Sequence, residues 1–154
     1  MSNLNISLKE IWPVMREVIE SDGQFTFCPH GTSMMPLIRE GVDKVVLVKA
    51  SNLKCNDVVF YQRDNGQFVL HRIVKMKNGE YIMCGDNQFM LEYGIFNKHI
   101  LAKMKAFVRD GETVDESNPK YRKYMKRLPM RRFKKRVRNF LGRIKRKIFK
   151  KKTV

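Results

Sequence analysis

Along residues 7–20, SLKEIWPVMREVIE, the apolar positions Leu8, Ile11, Trp12, Met15, Val18 and Ile19 recur at steps of three and four, the period of one helix face. Ser7 stands where an N-cap belongs, and Glu10 follows at capping-box spacing. Pro13 interrupts the pattern and predicts a kink or a later start, because it has no N–H to give. The period then changes. Six runs rich in β-branched and aromatic residues follow: QFTFC (24–28), DKVVLVK (43–49), NDVVFYQR (56–63), QFVLHRIVKMK (67–77), EYIMCG (80–85) and ILAKMKAFVRD (100–110). Asn-Gly turns in RDNGQ and KNGE flank the fourth run and predict hairpins. Short strands behind one leading helix (1–24) predict a mainly β, barrel-like domain over 25–110.

The segment GETVDESNPK (111–120) is polar and reads as a linker. Beyond it, Met130, Phe133, Val137, Phe140, Leu141, Ile144 and Ile148 return to helical steps with Lys and Arg between them, so 121–154 reads as a basic amphipathic helix. The charge follows this division. Residues 120–154 hold 18 of the 32 Lys and Arg and no acid, leaving 14 basic and 15 acidic residues in 1–119, so the formal +17 belongs to the tail. A basic helix with an apolar stripe suits an anionic membrane surface or a protein groove better than nucleic acid, although phosphates would meet the same charges.

A hydrophobic content of 43% is enough for a real core and excludes wholesale disorder. Cys28, Cys55 and Cys84 are odd in number and lack metal-ligand spacing, which predicts reduced thiols, no disulfide framework and no metal or other cofactor. No apolar run approaches a membrane span, and MSNLNISLKEIW lacks the basic start and apolar core of a secretory signal. The expected location is cytoplasmic, with the tail attaching peripherally at the inner membrane surface.

The chemistry centres on HGTSMMP, residues 30–36. A serine hydroxyl needs a base within hydrogen-bond reach and donors for the oxyanion it creates. Ser33 lies in a turn that exposes its hydroxyl and leaves neighbouring backbone N–H groups free. Of the three histidines, His71 in VLHRIV alternates onto the strand face of Val69 and Ile73, where a polar side chain is either hydrogen-bonded structure or a site. Charging of an unperturbed imidazole predicts a loss of activity below about pH 6.5.

Four motifs in order, Ser33-Met34-Met35-Pro36, Asn56-Asp57-Val58-Val59, His71-Arg72 and Gly85-Asp86-Asn87, resemble the type I signal peptidase family, in the clan shared with self-cleaving SOS repressors. Histidine after the second strand matches the endoplasmic-reticulum and archaeal type, whose base is histidine instead of lysine. The resemblance spans about residues 25–110 and implies a signal-peptidase-like β-barrel or coiled-sheet domain. It implies a serine endopeptidase acting on an extended leader or precursor peptide, with Ser33 attacking and His71 moving the proton. It further implies Asp86 orienting the imidazole or bracing the turn, Glu92 as a second acid, and the Ser33 N–H as oxyanion donor. Asn56 replaces the family's usual glycine, Glu92 replaces aspartate, and Gly31 occupies the position of a side-chain oxyanion donor, for which Thr32 is the substitute. The membrane anchor of the family's housekeeping enzymes has no counterpart, which points to a soluble relative. The alternative is a non-catalytic or self-cleaving regulatory protein whose tail binds nucleic acid, but no Ala-Gly or Cys-Gly precedes Ser33.

The remaining residues have plainer readings: Met34 and Met35 as filler, Asp57 as a turn acid, and Arg72 as a structural residue facing away from His71. His30 is expected in a local hairpin contact, and His99 at the surface.

Overall fold

The computed structural model describes residues 8–150, with side chains through Arg143. The Ser7 cap lies outside the described residues, and Ile144 and Ile148 of the tail stripe lie beyond the described side chains. Helix α1 (Leu8–Glu20) runs through Pro13, whose ring is exposed, and buries Met15 and Ile19. Its Trp12 packs on Phe60 and Phe68, which stack on each other with centroids 5.5 Å apart.

Strands β1 (Phe25–Phe27), β2 (Lys44–Val48), β3 (Val58–Gln62), β4 (Phe68–Lys77), β5 (Glu80–Cys84) and β7 (Ile100–Arg109) form in the six apolar runs. The pattern misses two short strands, β6 (Glu92–Ile95) and β8 (Glu112–Val114). All pairings are antiparallel, in the order β1-β2-β7-β3-β4-β5-β6, with β8 beside β7. The sheet is open: β1 and β6 end it and do not pair, which corrects the barrel expectation. The linker reading of 111–120 is corrected too. β8 buries Val114 and pairs back onto β7, and the Asn118 carboxamide then accepts the Lys120 N–H to cap α2 (Pro119–Lys150), which starts on a proline.

Alternation along the strands builds two cores. Val58, Phe60 and Leu70 face α1, the 34–38 turn and Tyr121 of α2, whereas Val59, Tyr61 and Ile73 gather with Tyr81, Met83 and Ile95 on the other side. His71 and Arg72 are neighbours on β4 and are both buried, so they point to opposite faces.

The loop from Pro29 to Asp43 carries Ser33 and is pinned from β7. Arg109 donates to the carbonyls of Pro36 and Leu37 at 3.2 and 2.8 Å and to the Asp43 carboxylate at 2.5 Å. Asp43 also accepts from the N–H and the guanidinium of Arg39. Burial pushes the Asp43 carboxyl up, but Arg109 and Arg39 outweigh it and hold it at about 2. Asp43→Ala leaves these cations without their buried partner, and denaturant unfolding should show a loss of about 3 kcal/mol or more at neutral pH.

Candidate active site

Ser33 sits in the turn after Gly31, and Met34 and Leu37 anchor that turn in the first core. Its carbonyl accepts the Asn87 N–H at 2.7 Å, and the Asn87 carboxamide donates to the Thr32 carbonyl at 3.0 Å. The Gly85-Asp86-Asn87 turn therefore holds the Ser33 turn directly. A Cβ on Gly85 would lie 2.6 Å from the Ser33 carbonyl oxygen and 3.1 Å from Ser33 Cβ, so only glycine permits this approach. Among the described residues, the N–H groups of Ser33 and Met34 have no acceptor.

Ser33 and His71 line one cavity of about 240 Å³. No hydrogen bond joins them, as is common in unliganded sites whose contacts tighten around substrate. Nδ1 of His71 lies 3.2 Å from the Tyr61 hydroxyl, which donates its single proton to Glu92 at 2.7 Å. The hydroxyl can therefore only accept from His71, which puts a proton on Nδ1 and leaves the Nε2 lone pair as the base. Glu92 itself is 3.6 Å from Nδ1, so Tyr61 is the link between them. Arg63 grips both Glu92 oxygens at 2.6 Å. Burial pushes the Glu92 carboxyl up, but Arg63 and Tyr61 more than offset this and hold it below its ordinary range.

The predicted residues do not all meet. Glu92 joins His71 through Tyr61. Asp86 does not bond to His71: both its oxygens take Arg72, at 2.8 and 2.6 Å, with Tyr124 and Arg132 adding further donors. The turn-bracing role is the one its contacts serve, because strand alternation sends Arg72 to Asp86's side of the sheet and His71 to the other. Thr32 is absent from the cavity lining, its carbonyl tied to Asn87. Gln88 lines the cavity in its stead, with its amide oxygen beside Gly85. Asp57 is buried and accepts the Lys54 N–H and a Lys103 ion pair, as a turn acid would. His30 is exposed on the cavity rim. His99 corrects the surface expectation: it is buried, accepts the Phe96 N–H and meets Asp64 at 3.0 Å.

Tyr61, Arg63 and the donors from α2 were missed. Tyr61 and Arg63 had a signal, since the RDNGQ hairpin sets the β3–β4 register that puts them on His71's face. The α2 donors had none, because a basic run does not show which of its cations turn inward.

One edge of the cavity is unfinished sheet. Gln67 accepts the Arg63 N–H, and Ile73 exchanges bonds with Asn56 and Asp57, so odd-numbered β4 residues bond toward β3. Phe68, Leu70 and Arg72 therefore aim their N–H and C=O away from β3. Of these three, β5 reaches only Arg72, through Cys84. The backbones of Phe68 and Leu70 are thus open toward the Ser33 turn.

No protein family, curated protein or solved structure matches this chain.

Burial lowers the His71 pKa from 6.5 to about 4, against the pull of Glu92. The ring titration followed by NMR should therefore centre near 4, well below the value the sequence suggested. Between those two pH values the unfolded chain binds a proton that the folded one refuses. Stability should fall as pH drops through that window, by up to about 3 kcal/mol, and be fully present above 6.5. Gly85→Ala is expected to cost about 1–3 kcal/mol by calorimetry through overpacking against Ser33, and to perturb the amide signals of 32–34.

Proposed function

We propose that this chain is a serine endopeptidase of signal-peptidase-like type, acting on a leader or precursor peptide. The supporting observation is the shared cavity: a hydroxyl without a hydrogen-bond partner among the described residues, a neutral imidazole with a free Nε2, and an unpaired strand edge beside them.

The substrate joins as an added strand on Phe68 and Leu70, which lays its backbone across Ser33. Ser33 Oγ forms a bond to the scissile carbonyl carbon as its proton passes to His71 Nε2. The carbonyl π pair moves to oxygen, where the free N–H groups of Ser33 and Met34 receive it. His71 is now a cation. Its Nδ1–H keeps its hydrogen bond to the Tyr61 hydroxyl, and the Glu92 carboxylate behind that hydroxyl stabilises the charge. The imidazolium returns its proton to the leaving amine as the C–N bond breaks. Water then repeats the sequence on the acyl-enzyme, restoring Ser33. Small substrate side chains before the cut fit the family resemblance and the size of the cavity.

Reaction with a fluorophosphonate probe, mapped by mass spectrometry, tests this reading. Labelling is expected at Ser33, absent in Ser33→Ala, and at least about a hundredfold slower in His71→Ala than in His30→Ala. Equal labelling of wild type and Ser33→Ala refutes the peptidase, and equal losses at the two histidines refute the assignment of the base. Intact-mass measurement separates self-cleavage from cleavage of another chain.

A further inference from the structure

Helix α2 has two working faces. Tyr121, Tyr124, Leu128, Arg132 and Lys135, spaced by threes and fours, turn inward. Tyr121 and Leu128 are buried, Tyr124 and Arg132 donate to Asp86, and Lys135 donates to the Asn87 carbonyl and, at 2.7 Å, to its carboxamide oxygen. The helix is docked by this face, and the body does not cover its apolar stripe.

That stripe stands in the open and is not alone. Phe133 and Phe140 are 64% and 63% exposed, and Val137 between them is 39% exposed. Beside them, Met90 and Leu91 on the loop that leads into β6 and Tyr93 within β6 are 69%, 47% and 59% exposed. The two segments flank a single groove of about 710 Å³, which Arg136 and Arg143 also line. Large apolar side chains offered outward from two separate segments are an interaction surface.

We infer that the 89–93 segment and the outer face of α2 form one composite seat for an anionic lipid bilayer. Two observations select this occupant. Residues 120–154 contain no acid, so apart from the inward Arg132 and Lys135 their charged side chains offer only positive charge to a negative surface. The apolar groups are also large, open and rimmed by arginine, the arrangement that inserts below headgroups, whereas phosphate contacts of a nucleic acid need no phenylalanines. Among the described residues no helix is long and apolar enough to cross a membrane, so the seat is interfacial. It involves neither Ser33 nor His71 and stands apart from the peptidase reading.

Co-sedimentation of the full chain with vesicles tests it. Wild type should pellet with mixed phosphatidylcholine–phosphatidylglycerol vesicles and stay in solution with phosphatidylcholine alone. The charge-neutral pair Met90→Gln/Leu91→Gln, which leaves the tail intact, should weaken this binding at least about fivefold, as should Phe133→Gln/Phe140→Gln. Val14→Gln/Val42→Gln removes equally exposed apolar groups elsewhere and should bind as wild type does. Equal binding to both lipids overturns the inference, as does undiminished binding of the Met90/Leu91 pair. So does a wild type that ignores vesicles but shifts a duplex DNA or captures an acidic peptide. Unchanged melting temperatures establish that each variant is folded.

Discussion

The site depends on a buried ion pair made by the residue next to the proposed base. His71 and Arg72 are adjacent on β4 and point to opposite faces, so one backbone segment serves two tasks. His71 faces the cavity. Arg72 takes Asp86 through two hydrogen bonds, with neither side chain exposed to solvent. Burial favours the uncharged guanidinium, but Asp86 outweighs it and holds the Arg72 pKa above its ordinary value. Asp86 fixes its turn, Asn87 in that turn holds the Ser33 carbonyl, and the hydroxyl is thereby tied to the strand that carries the imidazole. Such a pair adds little net stability over an apolar filling, because both ions must be stripped of water. What it supplies here is position. A loop residue is held in register with a strand residue 38 positions away in the sequence.

This arrangement explains which parts were legible beforehand. Strands declare themselves through β-branched and aromatic runs, and six of the eight did so. β6 and β8 did not, because EYGI and ETV are short and their burial comes from neighbours instead of their own pattern. Ser33 and His71 were legible as members of ordered motifs. Of the partners of His71, Glu92 was named only through the resemblance, as a second acid, whereas Tyr61 and Arg63 were missed because only the β3–β4 register brings them to its face. Asp86 was the instructive case. It was expected at the imidazole or as a turn brace, and its neighbour in space is Arg72, as the two-residue period of a strand requires once His71 faces the other way.

The tail shows how formal charge misleads when it is counted without geometry. Arg132 and Lys135 are spent inward, against Asp86, the Cys84 carbonyl and Asn87. They act as bracing donors to the same turn that holds Ser33, so the basic helix is part of the scaffold of the site as well as a charged surface. A run that reads as one amphipathic helix is two stripes about half a turn apart, one satisfied within the protein and one facing solvent.

The low basicity of His71 sets a condition on the proposed chemistry. A base works best with a pKa near the working pH, and a buried imidazole at about 4 takes a proton reluctantly. The remedy lies in where charge appears during the reaction. Glu92 is already ionised, held so by Arg63, and it waits one hydroxyl away from Nδ1. In the resting site its pull is partly cancelled by the Arg63 cation, which lowers the His71 pKa. When His71 becomes a cation, the Tyr61 bridge passes the Glu92 charge to it without any side chain having to move. In the proposed reaction a substrate strand on Phe68 and Leu70 sharpens the effect, because excluding water lowers the local dielectric and strengthens that attraction. The same burial that keeps the free imidazole neutral, with its lone pair ready, thus makes its charged form most dependent on Glu92 at the moment of proton transfer.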